Sequence, residues 1–191
     1  VPWHWRTQEG DATRDAKLHD VLQSADIISP WSVGRYHSPE NATQMIGKVH
    51  EADTKWCREH DQDYLPVVFP GFSWRNLSKM RGVDAPLNAI PRLGGEFLWS
   101  QARERIAGGS SMLYIAMFDE LDEGTAIFKT TNQPPVGDSR FLSEPDLPSD
   151  HYLWLSGMLG KRLINETSVS EDLEGTMISK LKSIKIGRAH V

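Results

Sequence analysis

Two stretches, Tyr64–Phe69 (YLPVVF) and Met112–Phe118 (MLYIAMF), contain no charged side chain and no alternation of polar with apolar residues. A strand with one face in water alternates, whereas a strand covered on both faces does not. A third run, Ala25–Pro30 (ADIISP), ends at proline as a buried strand would. Between and around these runs the spacing turns helical. Thr13–Ser24 carries Ala16, Leu18, Val21 and Leu22 at helical intervals. Glu40–His60 places Met45, Ile46, Val49, Ala52 and Trp56 on one stripe. Pro39 stands just before it, where a missing N–H is tolerated. Gly94–Ala107 reads as a helix stopped by Gly108-Gly109, and His151–Leu163 as a last amphipathic helix. Val1–Trp5 reads as a short aromatic strand.

Strands and helices in alternation, with strands covered on both faces, imply right-handed βαβ units and a parallel sheet. No Gly-rich phosphate loop follows any strand, which disfavours a nucleotide-binding sheet. The expected fold class is therefore α/β, a (β/α)8 TIM barrel. Four βα units make about half of such a barrel. On this reading residues 1–165 form the C-terminal half of the barrel. Residues 166–191 have no aromatic side chain and read as a loosely ordered tail, with room for one short helix over Met177–Ile184.

Composition narrows the function. The chain has 191 residues, of which 39% are hydrophobic and 25% charged, a globular balance without the apolar deficit of a disordered chain. Its net charge is −5 and it has no block of Lys and Arg, so it lacks the basic surface that supplies most nucleic-acid affinity. No apolar run approaches the length of a membrane span. One cysteine, Cys57, rules out an internal disulfide. The seven histidines are scattered with no H-E-x-x-H, so neither a metal nor another cofactor is expected. Asn41, Asn76 and Asn165 each begin an N-x-S/T triplet.

In an α/β barrel the working residues sit at the C-terminal ends of strands and in the loops that follow. That rule selects Trp5 and Arg6, then Trp31, Arg35 and Tyr36, then Phe72 and Trp74 with Arg92 further along the loop. After MLYIAMF come Asp119, Glu120, Asp122 and Glu123, four acids in five positions. Flat rings, cations and paired carboxyl groups at one rim suit a carbohydrate site. Glycoside cleavage uses two carboxyl groups flanking the bond. Two glutamates three apart lie on opposite faces of an extended strand, so they converge only where the chain turns, and Gly124 makes a tight turn easier. An isolated E-x-x-E is most often a solvated acidic turn; its place directly after a fully apolar strand is what favours chemistry here.

The stretch from Tyr64 to Lys129 resembles the glycoside hydrolases of families 71 and 99. The matching pieces are Tyr64 to Phe72, then Ile90-Pro91-Arg92 with Gly94 and Gly95, then Phe118 to Thr125. Family 99 contains endo-α-mannosidases on a (β/α)8 barrel, with a signature of Glu, two residues, then Glu-Gly-Thr. In this chain that is Glu120 followed by Glu123-Gly124-Thr125. The resemblance implies a retaining glycosidase in which Glu120 acts as base on the substrate's 2-hydroxyl and Glu123 as acid and then base. It also implies that Arg92 holds substrate. The chain departs from the signature at Asp119 (Asn in the family), Leu121-Asp122 (Trp-His) and Phe72 (Tyr).

The expected activity is hydrolysis of an α-linked oligo- or polysaccharide, mannan- or glucan-like, by the catalytic pair Glu120 and Glu123. Substrate contacts are expected from Arg92, Phe72, Trp74, Asp119, Trp31, Arg35, Tyr36 and Trp5, with no cofactor, no nucleic acid and no membrane span. A secreted or periplasmic location is expected. Two alternatives stay open: a rim that binds carbohydrate without cleaving it, and a related barrel used in polysaccharide synthesis. A close carboxyl pair is what distinguishes hydrolysis from binding.

Overall fold

The computed structural model describes residues 1–135, 137–164 and 175. Along the chain come α1 (Lys17–Leu22), β1 (Ile27–Ile28), α2 (Pro39–Glu59), β2 (Asp63–Tyr64), β3 (Val67–Val68), α3 (Arg75–Met80), α4 (Glu96–Ala107), β4 (Tyr114–Ile115) and α5 (His151–Leu163). The strands are short and every pairing between them is parallel. Ile27 lies opposite Asp63 and Ile28 opposite Tyr64; Val67 lies opposite Tyr114 and Val68 opposite Ile115. The segment 63–68 is thus a shared middle line, bonded to β1 through its first half and to β4 through its second.

The run Tyr64–Phe69 divides between two elements because Pro66 stands between them and has no N–H to give. Its carbonyl still accepts from Tyr114 N at 3.0 Å. Val1–Trp5 is not a strand but a turn, closed by Trp5 N to Pro2 O at 3.3 Å and Gln8 N to His4 O at 2.8 Å. Val1 nevertheless lies against the end of β1, donating to Ser29 O and accepting from Trp31 N. The long loop after Pro70 contains α3, which the spacing does not reveal. The helix expected over Met177–Ile184 lies outside the described residues.

The middle line is covered on both sides, as its composition requires. Val67 packs with Tyr36, Phe69 and Phe97 in one core. Its neighbour Val68 packs with Leu98, Trp99 and Leu155 in another. Successive side chains of a strand point to opposite faces, so adjacent residues in separate cores mean two buried faces. A third cluster gathers Trp5, Leu22, Ile28, Cys57 and Tyr64 under α1 and α2. Among the described residues the strands do not close into a barrel, and no helix is long and apolar enough to cross a membrane.

Helix α2 starts where Ser38 Oγ accepts from Asn41 N at 3.1 Å, with Pro39 in the first turn, so one otherwise orphaned N–H is satisfied. Its buried positions are Ala42, Ile46, His50, Asp53 and Cys57. The expected apolar stripe runs alongside, with Met45, Val49 and Trp56 half-buried. Two polar side chains therefore occupy the inner face. Asp53 Oδ1 accepts from Arg6 Nε at 2.7 Å and its Oδ2 from Tyr64 OH at 3.2 Å. His50 Nδ1 lies 3.1 Å from Nη1 of Arg105, which is itself fully buried.

Besides its apolar contacts with Val67 and Val68, helix α4 hydrogen-bonds to Phe69, the residue that follows the middle line, through one side chain. Gln101, fully buried, accepts from Phe69 N at 3.1 Å and donates to Phe69 O at 2.8 Å. It also accepts from Tyr36 OH at 3.2 Å and donates to Phe97 O at 2.8 Å. All four hydrogen-bonding capacities of the amide are used.

Candidate active site

Beyond β4 the chain folds back on itself and makes a small, heavily hydrogen-bonded loop. Met117 N donates to Thr125 O at 3.2 Å, and Ile127 N and Phe128 N both donate to Phe118 O at 3.0 Å. Between these anchors Gly124 N closes a turn onto Leu121 O at 3.1 Å. Gly124 has φ +66°, in the left-handed region, and a Cβ there would stand 2.4 Å from Leu142 Cδ1. The left-handed φ favours glycine at this point. The peptide bond Ala116–Met117 is cis.

The turn brings the two glutamates of the E-x-x-E into one loop and fixes both by their backbones. Glu120 O accepts from Thr125 N at 3.2 Å, Ala126 N at 3.0 Å and Thr125 Oγ1 at 3.4 Å. Glu123 O accepts from Ser73 N at 2.7 Å, which ties the loop to the segment after β3. The Thr125 of the Glu-Gly-Thr triplet is fully buried and serves this loop. Both carboxyl side chains are left half-exposed. Among the described residues neither forms an ion pair. Burial raises the proton affinity of Glu123, and the negative charges of Glu120 and then Asp122 raise it further. Such a carboxyl keeps its proton into a pH range where an open glutamate has lost it, which a group that protonates a departing oxygen needs.

Around this loop the structure assembles part of the expected rim. Phe72 and Trp74 flank Ser73, with ring centroids 4.6 Å apart. Phe72 is buried and its backbone pairs with Ile90, N to O at 2.9 Å in both directions. Trp74 is half-buried, its ring 3.4 Å from the point where a Cβ on Gly34 would lie. Asp119 is exposed beside Glu120. Arg92 is 11% exposed; its Nη2 donates to Ala126 O at 2.7 Å, and its guanidinium lies 3.6 Å from the centre of the Tyr152 ring.

Other rim candidates are placed elsewhere. Trp5 has no exposed surface and packs edge-on against Trp56 at 4.8 Å. Tyr36 is buried in the core, its hydroxyl given to Gln101. Neither offers a ring face to solvent. Arg35 is paired with Asp11, whose carboxyl sits at about 2. There burial, which would raise it, is overcome by hydrogen bonds from Trp3 N and from His4 and by the Arg35 charge. Trp31 remains 43% exposed, the most open ring among the candidates.

Four residues join the site without a signal in the sequence. Asn76 is buried, and its amide donates to Asp122 Oδ1 at 3.4 Å and to Arg140 O at 3.0 Å. An asparagine so placed has no room for a glycan, although it begins an N-x-S triplet. Leu142 closes over Gly124. Glu144 lies 3.6 Å from Arg92 Nε, and Tyr152 supports the guanidinium. Leu142, Glu144 and Tyr152 come from distant parts of the chain and show no local pattern. Among the described residues no group of three His, Cys, Asp or Glu is placed to hold a metal ion.

No family model matches the chain. A 44-residue segment is 57% identical to cullin-1 of Dictyostelium discoideum, spanning 23% of this chain and 5% of the cullin. Solved structures give broader matches. The GH99 endo-α-mannosidase of Bacteroides thetaiotaomicron superposes with a TM-score of 0.58 at 19% identity, covering 81% of this chain and 43% of that one. The same enzyme in complex with BIS-TRIS-Propane gives a TM-score of 0.57 at 19% identity, covering 79% and 45%. The chain spans less than half the length of these structures, and over that span it has a GH99-like fold.

Proposed function

We propose that the chain carries the acid–base centre of a glycoside hydrolase acting on α-linked glycans, within part of a (β/α)8 barrel. The observation that carries this reading is the carboxyl of Glu123. It is half-buried in the turn after β4, its proton affinity raised by burial and by two neighbouring acids, and no cation offsets them among the described residues. A structural carboxylate in such a position would be paired with a cation or several N–H donors; a proton donor is better served as this one is.

In the reaction so assigned, Glu123 gives its proton to the departing glycosidic oxygen. Glu120 takes the proton of the substrate's 2-hydroxyl, and that oxygen forms a bond to the anomeric carbon as the leaving group departs. Glu123, now a carboxylate, removes a proton from water. The water oxygen then opens the 1,2-anhydro ring, and Glu120 returns its proton to the 2-oxygen. Configuration is retained through two inversions. The resemblance of Glu120 and Glu123-Gly124-Thr125 to the family 99 signature supports this division of roles, and the GH99-like fold is consistent with it. Trp74 and the open ring of Trp31 are proposed as faces for the sugar, whereas Phe72 is buried in the core. Leu121-Asp122 and Phe72, where the chain departs from the signature, point to a substrate other than that of the enzymes it resembles.

The test is incubation of the protein and a Glu123→Gln variant with α-mannan and α-glucan oligosaccharides, with released sugars followed by chromatography. Cleavage should fall by about 10²–10⁴-fold in the variant. Cleavage that survives the change removes Glu123 from its role. Tight glycan binding with no cleavage by either protein moves the reading to a carbohydrate-binding site.

A further inference from the structure

Arg92 is expected to hold substrate, but its most specific contact in the folded chain is with the backbone of the glutamate loop. Ala126 is gripped from two sides. Its carbonyl accepts from Arg92 Nη2 at 2.7 Å, and its N–H donates to Glu120 O at 3.0 Å. The guanidinium is itself immobilised. Its Cζ lies over the Tyr152 ring, 3.6 Å from the centroid, and its Nε is 3.6 Å from Glu144 Oε2, within ion-pair range and too long for a hydrogen bond. Glu144 in turn accepts from Gly94 N at 3.3 Å. At the start of the side chain, Gly71 leaves the space Arg92 occupies: a Cβ on Gly71 would stand 2.7 Å from Arg92 Cγ.

Taking the assignment of Glu120 and Glu123 above as given, we propose that Arg92 is a positioning residue that fixes Glu120, and with it the spacing of the two glutamates, by clamping Ala126. A planar, always charged fork suits this task. It can lie flat on a ring and still aim one N–H at a carbonyl, which a lysine ammonium cannot do with the same geometry. Glu123 registers the spacing, because its proton affinity responds to burial in the loop and to the charge of Glu120. Arg92 is not among the charges acting on it directly, so a change at Arg92 reaches Glu123 through the loop.

The test is carried out on the whole chain and needs no turnover. Titration of the Glu123 carboxyl by carbon-detected NMR is compared in the wild type, Arg92→Met and Arg92→Lys, together with amide exchange at Ala126. In Arg92→Met the Glu123 midpoint should fall toward that of an open glutamate, and exchange at Ala126 should speed up by tenfold or more. Arg92→Lys should recover only part of both. A folded Arg92→Met with unchanged midpoint and exchange overturns the proposal. So does a midpoint that rises, because the guanidinium would then be acting on the carboxylate by charge alone. If Arg92→Met does not fold, Tyr152→Leu keeps the guanidinium and removes its support, and the same fall or its absence decides. Either result leaves the hydrolase reading untouched, since that reading is tested by cleavage.

Discussion

Asp53 lies on the inner face of α2, Glu123 in the turn after β4, and burial raises the proton affinity of both. What surrounds them differs. Around Asp53 every other influence opposes burial: the hydrogen bond and charge of Arg6, the hydroxyl of Tyr64 and the charge of Arg105. Around Glu123 the remaining influences, Glu120 and Asp122, act in the same direction as burial. The first carboxyl is held by partners that stabilise its charge and offset part of the burial, so its net proton affinity stays raised, and its role is to join α2 to β2 and to the N-terminal turn. The second is surrounded by groups that penalise its charge. Burial alone therefore does not mark a chemical carboxyl; the sign of what accompanies it does.

The comparison can be broken most forcefully at Asp53. Asp53→Ala strands Arg6 without its partner and leaves Arg105 nearer to uncompensated, and should cost about 3–5 kcal/mol in urea unfolding. A loss comparable to that of a surface substitution would mean the network is not structural. At Glu123 the effect should have the opposite sign at neutral pH. A carboxyl whose folded proton affinity is raised contributes stability that is complete below its unfolded pKa and is lost as pH rises through the folded one. Glu123→Gln removes that loss, so the variant should melt higher than the wild type at pH 7 and no higher at pH 4. A variant less stable at pH 7 would place Glu123 with Asp53 as a structural group. The smallest effect is expected from Asp122→Asn, which removes the lesser of the two neighbouring charges. Glu123 should then titrate slightly lower, and the alkaline limb of the pH–rate profile should shift down with it. A shift upward would contradict the arrangement of the three acids.

Much of the framework follows from local pattern. The last helix has the bounds His151–Leu163 that its spacing predicts, and three of the strands fall inside the apolar runs. Periodicity reads these because each depends only on neighbours a few residues away. The inner face of α2 shows where this stops. His50 and Asp53 look like outward positions to any rule that sends polar side chains to water. Their partners are far along the chain: Arg6 is 47 residues from Asp53, and Arg105 is 55 from His50. The same applies to Trp5 and Tyr36. A ring after a strand is equally fitted to stack on a sugar or to fill a core, and the choice for Tyr36 is made by Gln101, 65 residues on. Around the glutamates, the acids themselves stand out in the sequence because a fully apolar strand leads into them. The clamp of Arg92, Tyr152 and Glu144 does not, because three separated segments supply it.

A sheet usually passes its register sideways, from one strand to the next. In this chain register is also passed through the thickness of the molecule, by the amide of Gln101. Phe69 presents its N–H and C=O to a helix and meets there a side chain that imitates a peptide group. A glutamate could accept but not donate, and a methionine could do neither. The position thus indexes α4 to Phe69, directly after the middle line, and a slip of either element by a single step would leave two backbone groups and an amide without partners. Phe69 is the last residue before Pro70-Gly71, where the loop that carries Phe72, Ser73, Trp74 and Arg92 begins. The origin of that loop is therefore set from the helical layer outside the sheet, and the reach of Ser73 to the glutamate turn is measured from there.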